Sequence, residues 1–203
     1  MDMDIDGVVL CGGKATRMGG IEKGLLLFKE KPLFLYSAEK LSPRVKTLWI
    51  SANRFLGKYR CYGWPVVPDC IKGCGPLGGI YTILKQMSSS FLLSVPCDCP
   101  FFEETIDIRL KEKLLSTSAP LVYVWDGKRE QYLFALFKKT ILAELEKYLM
   151  AGERKVGSFY RIVQAVRVDM SACPERFYNI NTVAELEEAE GSAQVFGKEK
   201  KVL

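Results

Sequence analysis

Short apolar runs alternate with amphipathic stretches along most of the chain, and the two periods predict its elements. Gly7-Val8-Val9-Leu10 reads as a buried strand. Thr47 to Ser51 reads as a second, Trp64 to Val67 as a short third, and Phe91 to Val95 as the strongest. Between them, Pro32 to Leu41 reads as a helix with proline in its first turn, and Pro76 to Met87 as another. Glu103 to Leu115 places Ile106, Ile108, Leu110, Leu114 and Leu115 on a helical pattern. Leu121 to Trp125 and Tyr132 to Phe137 read as strands joined through Asp126-Gly127. Ile141 to Met150 is a helix stopping near Gly152, and Arg167-Val168-Asp169 is a late strand. Thr182 begins a last helix running to Glu190, with Glu185 three residues on as in a capping box. Residues 191–203 are polar and basic and read as a fraying tail. The expected unit is a single α/β domain over residues 1–190. Its expected form is three-layered, with a mostly parallel central sheet and helices on both faces. Ligands in such sheets bind beyond the carboxyl ends of the strands, so the loops after Leu10, Ser51, Val67 and Val95 are the informative ones.

The first of these loops carries the strongest chemistry. Gly12, Gly13, Gly19 and Gly20 leave no Cβ between backbone amides and an anion. Arg17 can grip a phosphate with two parallel bonds, and Lys23 supplies a mobile point charge. A nucleoside triphosphate suits such a loop. Two better-known motifs fail: Lys23 is preceded by Glu22 and followed by Gly24, so this is no P-loop, and Gly12-Gly13-Lys14 breaks the dinucleotide fingerprint.

In the fourth loop, Asp98 lies between Pro96 and Pro100. A carboxylate there suits Mg²⁺, which takes one or two carboxylates plus phosphate oxygens and water; the other reading is a cap for the helix that follows. Asp69 ends the third strand and can accept hydrogen bonds from a base or a ribose. Guanine offers an N1–H and N2–H₂ pair that one carboxylate can take together. Asn179-Ile180-Asn181 sets two amides on one side of an extended stretch, fit either to orient a phosphate or a metal-bound water, or for turn and cap chemistry.

Composition excludes more than it selects. The net charge of +5 comes from basic residues scattered along the chain, which favours phosphorylated small molecules over nucleic acid. No apolar stretch approaches the roughly 20 residues that span a bilayer, so no membrane partner is expected. The acidic start, Met1 to Asp6, is unlike a secretory leader. Seven cysteines and no histidine argue against both a disulfide framework and a zinc site. A cytoplasmic location is the expectation.

The motifs L-[AC]-G-G-x3-R-M-G-G-x-[DE]-K-G-L, P-D, G-P-L-G-G, P-C-D-x-P-[FY], G-E-R-[RK] and N-[IV]-N-T-x-x-E-L occur in this order from about Gly7 to Ala189. Together they resemble the molybdenum cofactor guanylyltransferase family, the MobA-type enzymes. The resemblance implies a Rossmann-like nucleotidyltransferase fold of the sugar-nucleotide-transferase type. It implies transfer of GMP from GTP to the terminal phosphate of molybdopterin, with release of pyrophosphate. By position it implies nucleotide contacts at Leu10, Cys11, Gly12 and Gly13, a phosphate contact at Lys23, another nucleotide contact at Asp69, and GTP and Mg²⁺ binding at Asp98. Arg17, Lys23 and Asp98 are the expected catalytic set, and Asn179 and Asn181 lie near the reacting centre. Proteins that insert molybdenum or deliver the finished cofactor to apo-enzymes are implied as further partners. The chain also departs from its relatives. Ser51 stands where they often have an asparagine that contacts nucleotide, Cys11 replaces alanine, Glu22 replaces aspartate, and Gln131-Tyr132 falls where a proline is common. A cytidylyl or sugar-phosphate nucleotidyltransferase, or a non-catalytic adaptor, are the competing readings. The first competitor tends to read L-A-A-G in the first loop.

Overall fold

The computed structural model describes residues 4–12 and 22–191. Gly13, Arg17, Gly19 and Gly20 of the first loop and residues 192–203 of the basic tail therefore lie outside the described residues.

A seven-stranded sheet organises the molecule. Its strands are β1 (Ile5–Leu10), β4 (Leu48–Ser51), β5 (Val66–Val67), β6 (Phe91–Pro96), β7 (Leu121–Trp125), β8 (Glu130–Lys138) and β9 (Val166–Asp169). They lie in the order β5-β4-β1-β6-β8-β7-β9. Every pairing is parallel except those that β8 makes with β6 and β7. The expected mostly parallel sheet is thus present, with β8 reversed because the Asp126-Gly127 hairpin joins it directly to β7. β2 (Leu27–Phe28) and β3 (Lys31–Pro32) form a separate small hairpin, too short to leave a period-2 pattern.

Helices cover both faces. On one side α1 (Leu33–Leu41), α2 (Leu56–Arg60) and α4 (Ile106–Leu115) bury Phe34, Leu41, Tyr59, Ile106 and Leu110 against the inward residues of the sheet. On the other, α3 (Pro76–Gln86), α5 (Leu142–Met150) and α6 (Val156–Ile162) bury Ile80, Leu84, Leu145, Phe159 and Tyr160. Such two-sided cover explains why the central strands read as continuous apolar runs rather than alternating ones. Two helices escape the sequence pattern, α2 and α6, being only five and seven residues long. Asp6 is the polar exception inside β1. It is buried and accepts bonds from Ser89 Oγ at 2.7 Å and Trp49 Nε1 at 2.9 Å, so β1 begins at Ile5, two residues before the expected start at Gly7.

A third cluster ties the C-terminal segment to the small hairpin. Ile180 is fully buried with Phe28 and Leu33, and its N–H donates to the Asp98 carbonyl at 2.9 Å. The last helix, α7 (Val183–Gly191), starts with the expected capping box. Glu185 N–H donates to Thr182 Oγ1 at 3.1 Å, and Thr182 N–H returns a bond to Glu185 Oε2 at 3.0 Å.

Candidate active site

The chain runs from β1 outward through β4 to β5, then returns to the other side of β1 as β6. The carboxyl ends of β1 and β6 therefore flank a topological switch point, where a crevice opens in such sheets. Leu10-Cys11-Gly12 leaves one of these strands and Asp98 follows the other. Cys11 N–H donates to the Ser51 carbonyl at 2.8 Å and Cys97 N–H to the Leu10 carbonyl at 3.2 Å, so the ladder fixes both walls for one residue beyond the strands.

Lys23 crosses this gap. Its ammonium donates to Asp98 Oδ2 and, at 2.7 Å, to Asn181 Oδ1. Residues 75 and 158 positions away in sequence thereby meet on one nitrogen. Glu22 anchors the approach to it. This buried carboxylate accepts from Tyr59 Oη at 3.2 Å and faces the Arg54 guanidinium at 3.1 Å. Burial pushes its pKa up, and the arginine and tyrosine oppose that shift.

Period-2 geometry explains the two asparagines. Ile180 turns inward to the core, so Asn179 and Asn181 share the opposite side. Asn181 meets Lys23. Asn179 Oδ1 accepts the Cys99 thiol at 2.9 Å. Cys99 is buried, and burial, followed by the charge of Asp98 beside it, pushes the thiol pKa well up. It therefore stays protonated and serves as a donor.

On the far wall, Asp69 follows β5. Its N–H donates to Asn53 Oδ1 and its Oδ2 accepts from Asn53 Nδ2, both at 2.9 Å. Burial raises the Asp69 pKa, against bonds from Asn53 and from the Ser51 hydroxyl. Ser51 itself is only 3% exposed and is wedged beneath α3, where a Cβ added at Gly79 would fall 2.3 Å from its Oγ. Beside Asn179 and Asn181 lies a hollow of about 590 Å³ whose other wall is the β7–β8 hairpin, including Lys128, Arg129 and Gln131. A larger hollow of about 810 Å³ contains none of these residues; it lies between α5, α6 and Pro120, which precedes β7.

The structure thus gathers Leu10, Cys11, Gly12, Lys23, Asp98, Asn179 and Asn181 around the crevice. It sets Asp69 on the adjoining strand end and tucks Ser51 below it. Asn53, Cys99, Arg54 and Tyr59 are not singled out by the sequence, and Glu22 is marked there only as a replacement for aspartate. The one signal for Asn53 is its spacing of two from Ser51 at a strand end.

Charge and hydrogen bonding are what this crevice offers, in a chain without histidine. That is the chemistry of phosphoryl-group transfer by positioning and charge neutralisation, and fold and site together define a nucleotidyltransferase. Comparison with known proteins narrows the class. The MobA-like NTP transferase domain family matches residues 7–168, and the chain belongs to that family. It is 42% identical to the molybdenum cofactor guanylyltransferase of Pasteurella multocida (strain Pm70) over 188 residues, which cover 92% of this chain and all of that one. It is 39% identical to the protein of the same name from Shewanella woodyi, covering 90% and 93% of the two chains. Among solved structures it resembles molybdopterin-guanine dinucleotide biosynthesis protein A from Archaeoglobus fulgidus, with a TM-score of 0.78 at 21% identity over 94% of this chain and 99% of the other. A 4-diphosphocytidyl-2C-methyl-D-erythritol synthase from Anaerococcus prevotii shares the fold with a TM-score of 0.73 at 13% identity, covering 94% and 96%.

Proposed function

We propose that this chain transfers GMP from GTP to the terminal phosphate of molybdopterin, forming the guanine dinucleotide cofactor and pyrophosphate. The observation that carries the reading is the Lys23 ammonium held between Asp98 and Asn181 at the switch point of the sheet. The names of the relatives supply the acceptor.

In the reaction an oxygen of the acceptor phosphate forms a bond to the α-phosphorus of GTP. The bond from that phosphorus to the bridging oxygen breaks, and pyrophosphate leaves with the electron pair. A phosphate monoester is already anionic near neutral pH, so no side chain has to remove a proton, in keeping with the absence of histidine. Gly12 and its neighbours present backbone to the triphosphate. Lys23 exchanges its carboxylate partner for phosphate oxygens and offsets charge on the leaving group, with Arg17 assigned a similar part. Asn179 and Asn181 orient the acceptor phosphate, whose pterin occupies the adjoining hollow.

Asp98 and the oxygens of Asn181 are hard donors, and the Lys23 nitrogen between them stands in for a cation. Among the described residues no group of three or more histidine, cysteine or acidic side chains is placed to hold a metal. A single carboxylate completed by substrate oxygens is the usual setting of Mg²⁺, and Asp98 would hold it. Bound there, Mg²⁺ would neutralise charge on the phosphates.

We place the enzyme in the cytoplasm, where its seven free cysteines stay reduced; no helix among the described residues is long and apolar enough to cross a membrane. Proteins that supply or take up the cofactor remain partners implied by the family.

Pyrophosphate release from GTP, measured with and without molybdopterin and with Mg²⁺ or a chelator, tests the reading. Release should require both acceptor and metal. Lys23→Ala and Asp98→Ala should each lower turnover by about 10²–10³, and near-normal turnover in either rejects the assignment.

A further inference from the structure

Asn53 lies two residues beyond the end of β4, and Asp69 two beyond the end of β5. Their reciprocal bonds fix the asparagine amide completely. The Asp69 N–H requires an acceptor opposite it and the carboxylate requires a donor, so Oδ1 and Nδ2 can be placed only one way round. Oδ1 is then engaged by the backbone. One Nδ2–H is engaged by the carboxylate, and the second Nδ2–H is left beside it. Both side chains are accessible: Asn53 is exposed and Asp69 half-buried. The pair also stands against the nucleotide loop, since a Cβ at Gly12 would lie 3.7 Å from Asn53 Nδ2. On its other side, a Cβ at Gly78 would lie 2.9 Å from Asp69 Oδ2, so α3 backs the carboxylate closely.

A donor fixed next to an acceptor is a pattern that distinguishes bases. On its pairing edge guanine presents O6, an acceptor, next to N1–H and N2–H₂, both donors. Adenine presents N6–H₂ next to N1, and cytosine N4–H₂ next to N3, the reverse order in each case. We propose that Asn53 determines base specificity in the nucleotide site. Its spare Nδ2–H takes guanine O6, and its other bonds hold Asp69 so that the carboxylate takes N1–H and N2–H. The inference rests on the reading of the chain as a GTP-using transferase. Adenine or cytosine would set donor against donor and acceptor against acceptor, which a half-buried pair penalises. Ser51 explains why this task falls to Asn53. Its hydroxyl is buried under Gly79 and bonded to Asp69, so it supports the carboxylate from below rather than facing the base.

Isothermal calorimetry with GTP, ITP, ATP, CTP and 2′-deoxy-GTP, on the full chain and on Asn53→Ala, tests this. ITP keeps O6 and N1–H and lacks the N2 amine. Asn53→Ala should weaken GTP and ITP by about 10- to 100-fold and leave ATP within about 3-fold, so the GTP-to-ATP ratio collapses. A general loss of structure would lower all nucleotides together, and the melting temperature is read alongside. Should Asn53→Ala not fold, Asn53→Ser is read in the same way. An unchanged GTP-to-ATP ratio overturns the inference. So does a parallel loss for GTP and ATP that spares 2′-deoxy-GTP, which would put Asp69 on the ribose. Wild-type preference for ATP or CTP overturns it whatever the acceptor. GTP-selective binding that depends on Asn53, with no pyrophosphate release on adding acceptor, overturns the functional reading alone.

Discussion

Single groups in this site are held in one protonation state by their surroundings, and that fixes what each can do. Cys99 is the clearest case. Its burial and the neighbouring Asp98 keep the thiol protonated, so its bond to Asn179 is one-directional and sets how that amide is turned. Losing a neutral bond of this kind typically costs about 0.5–1.5 kcal/mol. Cys99→Ala should therefore lower kcat by about 2- to 10-fold with little change in KM for GTP, and Cys99→Ser, which keeps a donor, should recover most of the loss in steady-state assays. Equal kinetics for the alanine and serine variants would show that the bond positions nothing. Asp69 gives a pH dependence. Burial raises its pKa above the ordinary carboxylate value of 3.8, and only the ionised form accepts bonds from a base. GTP affinity should thus decline on acidification, beginning above the usual carboxylate range. For stability the sign is opposite. A raised folded pKa means a contribution present at low pH and lost as pH rises through that folded value, because ionisation then leaves a costly partly buried charge. Asp69→Asn should consequently lose GTP binding without loss of melting temperature at neutral pH, as calorimetry and thermal unfolding will read together.

Elements place these residues, and they differ in how visible they are in the sequence. β1, β4 and β6 are plain because both faces of each are covered, and their apolar runs end where the site begins. α7 is plain because Thr182 and Glu185 carry their own hydrogen-bonding logic. Short elements are not: α2 and α6 offer fewer than two full turns of pattern, and the β2–β3 hairpin is fixed by Phe28 packing with Ile180 and Leu33, contacts between residues far apart in sequence. The glycine pair Gly78-Gly79 at the start of α3 leaves room for close approach, because neither residue carries a Cβ, but the sequence does not say what approaches. In the structure it is Ser51 and Asp69. Gly79→Ala would set its Cβ 2.3 Å from Ser51 Oγ and 3.2 Å from Ser51 Cβ. Overpacking of this order costs about 1–3 kcal/mol. Chemical denaturation of Gly79→Ala, Ser51→Ala and the double variant should show that loss, and should show part of it recovered in the double variant, since removing the hydroxyl removes the nearest clash. Strict additivity would mean that the helix shifts instead of pressing on Ser51.

Across the whole molecule, the switch point between β1 and β6 is what turns motifs scattered from Leu10 to Asn181 into one site. That convergence could be read in outline from strands alternating with helices. The cross-chain partners could not, because Lys23 meets Asp98 and Asn181 only through tertiary packing of Ile180 and the small hairpin. The same packing sorts the cysteines by access, in keeping with a chain whose seven cysteines argue against a disulfide framework. All seven are free. Cys11, Cys74, Cys97 and Cys99 are buried, Cys173 is intermediate, and Cys61 and Cys70 are exposed. Thiolate and access together govern reaction with a disulfide reagent. Titration of the native chain should therefore show Cys61 and Cys70 reacting first, Cys173 more slowly, and the other four only on unfolding, with a melting temperature indifferent to reductant. Because Cys70 adjoins Asp69, saturating GTP should slow Cys70 and leave Cys61 unchanged. Rapid native reaction of Cys11, Cys97 or Cys99, identified by mass spectrometry of the labelled peptides, would contradict the packing beneath the crevice. Equal protection of Cys61 and Cys70 would mean that the nucleotide does not sit against the Asp69 wall.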